Sequence, residues 1–320
     1  MISGFLVVDK PAGITSHDVV SVLRKLLGLK KVGHTGTLDP FATGVLPMAI
    51  GSSTRLIQFL DESKKVYVGR IQLGHSTDTG DHTGMITDTQ PVPELSINSV
   101  QSVAAALEGE QMQIPPRFSA VKVKGKALYK YAREGQTVEA AARPIVVHRL
   151  KVVRVGQDWI DVRVVCSRGT YVRVLAEDLS RELGTIGHLS SLRRMASGPF
   201  NLAGSIDFEA LSMIAAQRPD WPRVLRPKRN ESRIDWTDLD GRRAALVPRF
   251  MSAEVALSHL PRVELDRGNL DSLKLRGRTE VGPFDVVDGA HWLAYDGATL
   301  LGVMVKSGDQ HRVARMLPRD

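Results

Sequence analysis

The segment GHTGTLDPFATG, Gly33 to Gly44, crowds three glycines, a histidine, an aspartate and a proline into twelve positions. Pro40 disfavours a helical backbone at the residue before it, so the Asp39 carboxylate is expected on a rigid, non-helical turn. The surrounding glycines permit backbone conformations and close contacts that a side chain would forbid. A carboxylate presented in this way suits covalent or acid–base chemistry. A lone Asp-Pro is usually an ordinary turn. That reading explains neither His34 nor the density of glycine. The loop lacks the GK[ST] ending of a nucleotide P-loop, and no GxGxxG follows a strand, which sets aside nucleotide hydrolysis and dinucleotide redox chemistry.

Other chemistry-bearing residues are weaker candidates. HSTDTGDHTG, residues 75 to 84, invites a metal reading but lacks the glutamate at the twelfth position of a calcium loop. Cys166, the one cysteine, permits neither an internal disulfide nor a cysteine-rich metal site, and in the run VRVVC it reads as core. Lysine and arginine number 43 against 35 acidic residues, a net charge of +8 that points to a polyanionic partner. The basic runs RKLLGLKK, KVKGKALYKYAR and LRRM, with Tyr129 and Tyr131 interleaved, suit phosphates with stacking nearby. An anionic membrane surface ranks lower, because no basic amphipathic helix or lipidation motif accompanies the charge. No apolar run approaches the roughly 18 residues that span a bilayer. MISGFLVVDKPAG has no basic segment before its apolar stretch and does not read as a signal peptide, so a reducing cytoplasm is the expected compartment.

The elements that must position these residues mix without βαβ regularity, which favours an α+β fold with a largely antiparallel sheet. Thr15 to Leu27 places Val19, Val20, Leu23, Leu26 and Leu27 on one helical face, with Thr15 or Ser16 as cap and Gly28 as stop. VYVGRIQL (66 to 73) alternates with period two and reads as a strand, as do SAVKVKG, IVVHRLKVVRV and WIDVRVVC. Helices are expected at Ser96 to Leu107, Ala127 to Glu134 and Tyr171 to Leu183. Proline, charge and turn formers between 218 and 245 mark a linker, after which HWLAYDG and TLLGVMVKSG suggest a small β domain over 246 to 320.

GHTGTLDPFATGVLP resembles the catalytic motif of the TruB family of transfer-RNA pseudouridine synthases, which act at position 55 of the T loop. LVVDKPAGITSHDVV, KKVYVGRIQLGHSTDTGD, CSRGTYVRVLAEDL and HLSSLRRMASGPF resemble the family's other stretches in the right order, covering about residues 4 to 205. The C-terminal part resembles a PUA-type RNA-binding domain, through LLGVM and its β pattern. The resemblance implies a pseudouridine synthase catalytic domain, which the linker places over 1 to 217, and the T arm of tRNA as partner; nothing in the sequence demands more than a monomer.

It also implies roles. Asp39 matches the nucleophile, and Arg173 matches the arginine that pairs with it, lowering its pKa and keeping it ionised. Tyr67 matches the tyrosine that lies against the target base, stacking on it and able to help remove the C5 proton. Tyr171 and Leu192 match positions that line the uracil pocket, and His34 matches the histidine that stacks where the uridine has flipped out. Lys10 and Pro11 match a motif packed beside the catalytic loop and are read as support. Taken without the family, Arg173 would be a solvated helix charge, Tyr67 a core residue and His34 part of a turn. The isomerisation is redox-neutral and needs no energy input, so no cofactor or metal is expected. A non-catalytic RNA-folding protein is the competing reading; an Asp-dependent hydrolase would need a second carboxylate or a metal set that the sequence does not place.

Overall fold

Local chemistry defines the first helix. In the computed structural model, which describes residues 2–61, 63–214, 238–283 and 286–318, α1 spans Ser16–Leu27. The Thr15 hydroxyl accepts from the Asp18 amide and the Asp18 carboxylate accepts from the Thr15 amide, a reciprocal cap. Gly28 ends the helix in the left-handed region at φ 62°. The apolar stripe foreseen in the sequence faces inward: Val19, Val20, Leu23, Leu26 and Leu27 are all buried.

Among the described residues, fourteen strands precede the C-terminal part. They are β1 (Gly4–Lys10), β2 (Val32–His34), β3 (Thr43–Ile50), β4 (Lys65–Leu73), β5 (His75–Thr77), β6 (Ile86–Thr89) and β7 (Gly109–Gln113), then β8 (Lys122–Val123), β9 (Lys126–Ala127), β10 (Arg143–Val155), β11 (Trp159–Cys166), β12 (Gly187–Ser197), β13 (Phe200–Asn201) and β14 (Ser205–Ile206). Ten of them form one sheet in the order β14-β1-β3-β12-β4-β11-β10-β7, with β2 alongside β3 and β13 alongside β12. The pairs β1–β14 and β3–β12 are parallel and the rest antiparallel. This is the α+β, largely antiparallel arrangement expected. The SAVKVKG run is a smaller thing than the strand anticipated: only Lys122–Val123 pairs, with Lys126–Ala127 in a hairpin.

Period-two alternation gives the sheet two different jobs. One face packs Leu6, Val8, Leu46, Met48 and Ile71 against α1 and against α2 (Ile97–Ala106) and α4 (Val172–Glu182), the latter two following expectation to within a residue or two; α3 covers Leu128–Arg133. The opposite face of β1 and β3 carries Phe5, Val7, Val45 and Ala49, which join Leu257, Leu293, Tyr295 and Val303 of the C-terminal part. There, β15 (Arg262–Glu264), β16 (Arg278–Thr279), β17 (His291–Asp296), β18 (Thr299–Ser307) and β19 (Gln310–Met316) form a five-stranded sheet in the order β15-β17-β18-β19-β16. Alternate residues of β17 serve two cores. Trp292 and Ala294 fill the small domain's own interior, and Leu293 and Tyr295 press on the large sheet. Reciprocal backbone hydrogen bonds between Phe5 and Met251, at 2.8 and 2.7 Å, fasten the contact.

The expected boundary at residue 218 lies outside the described residues. Of the segment read as a linker, Leu239–Leu246 forms a helix after α5 (Phe208–Ile214), and its Arg242 and Arg243 donate to the Leu26 and Leu27 carbonyls at the end of α1. Those carbonyls have no partner within their own helix, so a cationic donor suits them on both hydrogen-bonding and dipole grounds.

Among the glycines of the Gly33–Gly44 loop, Gly44 is the one that the fold requires. Its φ is 102°, and a Cβ built there would lie 2.2 Å from the Arg194 carbonyl oxygen on the parallel strand β12. Gly44→Ala therefore combines a disfavoured backbone with a backbone clash, and should cost on the order of 3 kcal/mol. The expected readout is a melting temperature lowered by about 6–12 °C. A variant melting within about 1 °C of the parent would show that β3 and β12 do not need this close approach.

Candidate active site

The loop between β2 and β3 is tied down along its backbone. Ser16 Oγ donates to the Leu38 carbonyl and accepts from the Leu38 amide, at 3.1 and 2.9 Å. The Pro40 carbonyl accepts from the Gly13 amide at 2.9 Å and from Lys10 Nζ at 3.2 Å. The Asp39 carbonyl accepts from the Ala42 amide at 3.1 Å, which closes the turn that Asp-Pro begins. Phe41 is buried, its ring edge-on to His82 at 5.5 Å. Held on both sides, the Asp39 side chain keeps about a third of its surface exposed (32%).

Arg173 meets that carboxylate from the first turn of α4. Its Nε stands 2.9 Å from Asp39 Oδ2, and the arginine is only 3% exposed. The guanidinium is fixed from behind by the Thr79 carbonyl at 2.6 Å and the Phe118 carbonyl at 2.8 Å, with Asp81 Oδ2 at 4.0 Å. Asp81 lies in the acidic segment that invited a metal reading. Its other oxygen accepts from the Thr79 hydroxyl and from the Thr83 amide and hydroxyl. The segment thus supplies a second, buried carboxylate facing Arg173.

The expected lowering of the Asp39 pKa does not follow from these surroundings. Burial is the largest influence and raises the carboxyl above its ordinary value; Arg173 opposes it, Asp81 pushes further up, and Lys10 pulls down. The sequence reading counted the cation and missed both the desolvation and the second carboxylate, each of which disfavours the anion. Asp39 is accordingly a stronger base than a free aspartate, with a fixed cation beside it.

Lys10 is fully buried, with Nζ donating to the Pro11 and Ile14 carbonyls at 2.8 Å each, besides Pro40. Burial pushes its ammonium down to about 8. Lys10 thus lies against the loop, with the neighbouring Pro11 carbonyl among its acceptors. Tyr67, on β4, is buried on the helical face of the sheet. Burial holds its phenol above the ordinary value, opposed by the positive charge of Arg194. Leu192 is buried on β12, its register partner Gly69 two residues along from Tyr67. Tyr171 is half-buried at the cap of α4, where Gln113 bonds both its backbone amide and carbonyl. His34 is half-buried at the end of β2, opposite Met48, at the head of the loop.

Asp39, Arg173, Lys10, Pro11 and Tyr67 therefore gather at one place, with Leu192 and Tyr171 on the elements that flank it and His34 where the loop leaves the sheet. Two participants were not singled out in the sequence: Asp81 and Arg194. Arg194 lies in LRRM, which reads as a surface basic run, yet it is 0% exposed. Its clue was a position within a strand, obscured because β12 carries register shifts at Leu189/Ser191 and Arg194/Ala196.

Residues 24–172 match the model of the TruB family pseudouridylate synthase N-terminal domain, and residues 173–227 match that of the tRNA pseudouridylate synthase B C-terminal domain. A tRNA pseudouridine synthase B from Geobacter sulfurreducens is 50% identical over 212 residues, 66% of this chain and 70% of that one. Another, from Aromatoleum aromaticum, is 42% identical over 283 residues, 88% of this chain and 82% of the relative. Among solved structures, a Cbf5-Nop10-Gar1 complex matches 98% of this chain and 84% of its counterpart, with a TM-score of 0.68 at 25% identity. The structure of an H/ACA RNP bound to a substrate RNA containing 2'-deoxyuridine matches 99% of this chain and 86% of its counterpart with a TM-score of 0.67; at 24% identity it speaks for the fold. Motifs, fold and relatives agree: the chain belongs to the TruB family of tRNA pseudouridine synthases, which are isomerases.

Proposed function

We propose that this protein converts the uridine at position 55, in the T loop of tRNA, to pseudouridine, with Asp39 as the nucleophile. The observation that carries the reading is the partly exposed Asp39 carboxylate, 2.9 Å from a buried, backbone-anchored Arg173. An exchange of the N1–C1′ bond for a C5–C1′ bond needs a carboxylate able to add to the sugar or base, or to stabilise the detached intermediate. A raised pKa makes that carboxylate the better nucleophile, and Arg173 keeps the anion oriented.

The uridine reaches Asp39 by leaving its stack, at a cost on the order of a few kcal/mol. His34, at the head of the loop, fills the vacated space. Tyr67 lies against the flipped base and assists removal of the C5 proton, and Tyr171 and Leu192 line the uracil pocket. The protein works as a cytoplasmic monomer on the T arm, with the PUA-like C-terminal domain, residues 246 to 320, adding a second RNA contact. Among the described residues no helix is long and apolar enough to cross a membrane.

The test is base-resolved mapping of pseudouridine in an unmodified tRNA transcript. Asp39→Asn should lower the single-turnover rate at least about 10³-fold while still binding the transcript. Conversion by Asp39→Asn at a rate near that of the parent would sink the reading.

A second expectation follows from the Asp39 surroundings. The active form is the anion, and its pKa is raised, so the acid limb of the single-turnover rate should fall above the ordinary carboxylate range. Arg173 pulls that pKa down, so Arg173→Met should move the limb to still higher pH. Stability obeys the same sign. A group whose folded pKa exceeds its unfolded value favours the fold at low pH and loses that contribution as pH rises through the folded pKa. Asp39→Asn should therefore melt no lower than the parent at neutral pH. An acid limb centred at or below the free aspartate value of 3.8 would contradict the assignment.

A further inference from the structure

Arg194 has no part in the roles assigned so far, and its surroundings are unusual for an arginine. It is completely enclosed, standing opposite Tyr67 across the antiparallel pair β12–β4. Its guanidinium reaches three backbone carbonyls on both sides of the Asp39 turn: Nη2 donates to Gly36 at 3.0 Å, Nη1 to Thr37 at 3.3 Å and Nε to Val45 at 2.7 Å. The same charge lies near the Tyr67 phenol and opposes the upward shift that burial gives it. One planar fork therefore touches both ends of the catalytic loop, with Tyr67 at the register position opposite it.

Burying a guanidinium is unfavourable unless its donors are matched, and an apolar residue of similar volume usually serves stability as well or better. An arginine kept here against that cost suits a demand for geometry. We infer that Arg194 is a positioning residue that holds the Asp39 loop and the Tyr67 hydroxyl in one rigid frame, so that the carboxylate and the phenol oxygen keep a fixed separation around the uracil. From the register position opposite Tyr67 it also places a fixed positive charge beside any negative charge that develops on the phenol oxygen. This inference rests on the proposed reaction, which supplies the roles of Asp39 and Tyr67.

Arg194→Lys keeps the charge, but a single ammonium cannot span three carbonyls on both sides of the turn. In the full-length protein it should bind a tRNA transcript within about twofold of the parent. Its single-turnover rate should fall about 10–100-fold, the range that small misplacements of reacting groups produce. Part of that loss passes through the phenol oxygen, so in a Tyr67→Phe background Arg194→Lys should cost at least about threefold less than in the parent. Equal costs in both backgrounds, or a rate loss matched by an equal loss of binding, would overturn the inference.

Arg194→Met gives a second measurement that does not depend on turnover. It leaves the Gly36, Thr37 and Val45 carbonyls without their donor and should lower the melting temperature by several degrees. A melting temperature equal to or above that of the parent would overturn the bracing of the loop. If the parent converts no uridine, the reaction reading fails, while the melting comparison still decides whether Arg194 braces the loop.

Discussion

A carboxylate that must react cannot be buried without compensation, nor fully compensated without becoming inert. The Asp39–Arg173 pair sits between those limits, and the surrounding architecture serves to keep it there. Arg173 is anchored by two carbonyls before it meets Asp39, so its charge is fixed in position and cannot swing away to water. Asp81 faces the same guanidinium and shares its attraction. The result is a carboxyl whose neighbours pull in both directions, with burial deciding the net sign. Such balance depends on distances, and distances depend on a stiff loop, which explains why hydrogen bonds from Ser16, Gly13 and Lys10 converge on residues 38 to 40.

Much of this was readable in the chain. The α1 signals were local: a capping threonine, an apolar stripe and a terminal glycine each act within one or two turns, so spacing alone revealed them. The β4 alternation was equally plain, because one face of that strand is core. Asp39 declared itself by the density of unusual residues around it.

The rest depended on partners far away in sequence. Arg173 looks like any basic residue of a helix until Thr79, Phe118 and Asp39 close around it. Arg194 looks like half of a surface arginine pair, yet its neighbour Arg193 turns to the opposite face and pairs with Asp9 at 2.6 Å. The two register shifts in β12 break the simple alternation that would have separated an inward arginine from an outward one. The sign of the Asp39 shift was hidden for a related reason, since desolvation has no signature in composition.

Strand β1 divides its residues between two enterprises. Lys10 faces the catalytic loop, with Leu6 and Val8 beneath it, while Phe5 and Val7 on the other side form the seat of the C-terminal domain. Because the side-chain period of a strand is two, a shift of one residue exchanges every occupant of one face with the other. A slip of β1 by a single position would put Asp9 or Pro11 where Lys10 meets the Pro40 carbonyl, and would turn Leu6 and Val8 toward the domain seam together. Evolution can vary what these residues are, within the limits of size and polarity, far more freely than it can vary how many there are. The spacing from the N-terminal strand to the catalytic loop is thus a shared dimension of two domains that otherwise have separate interiors.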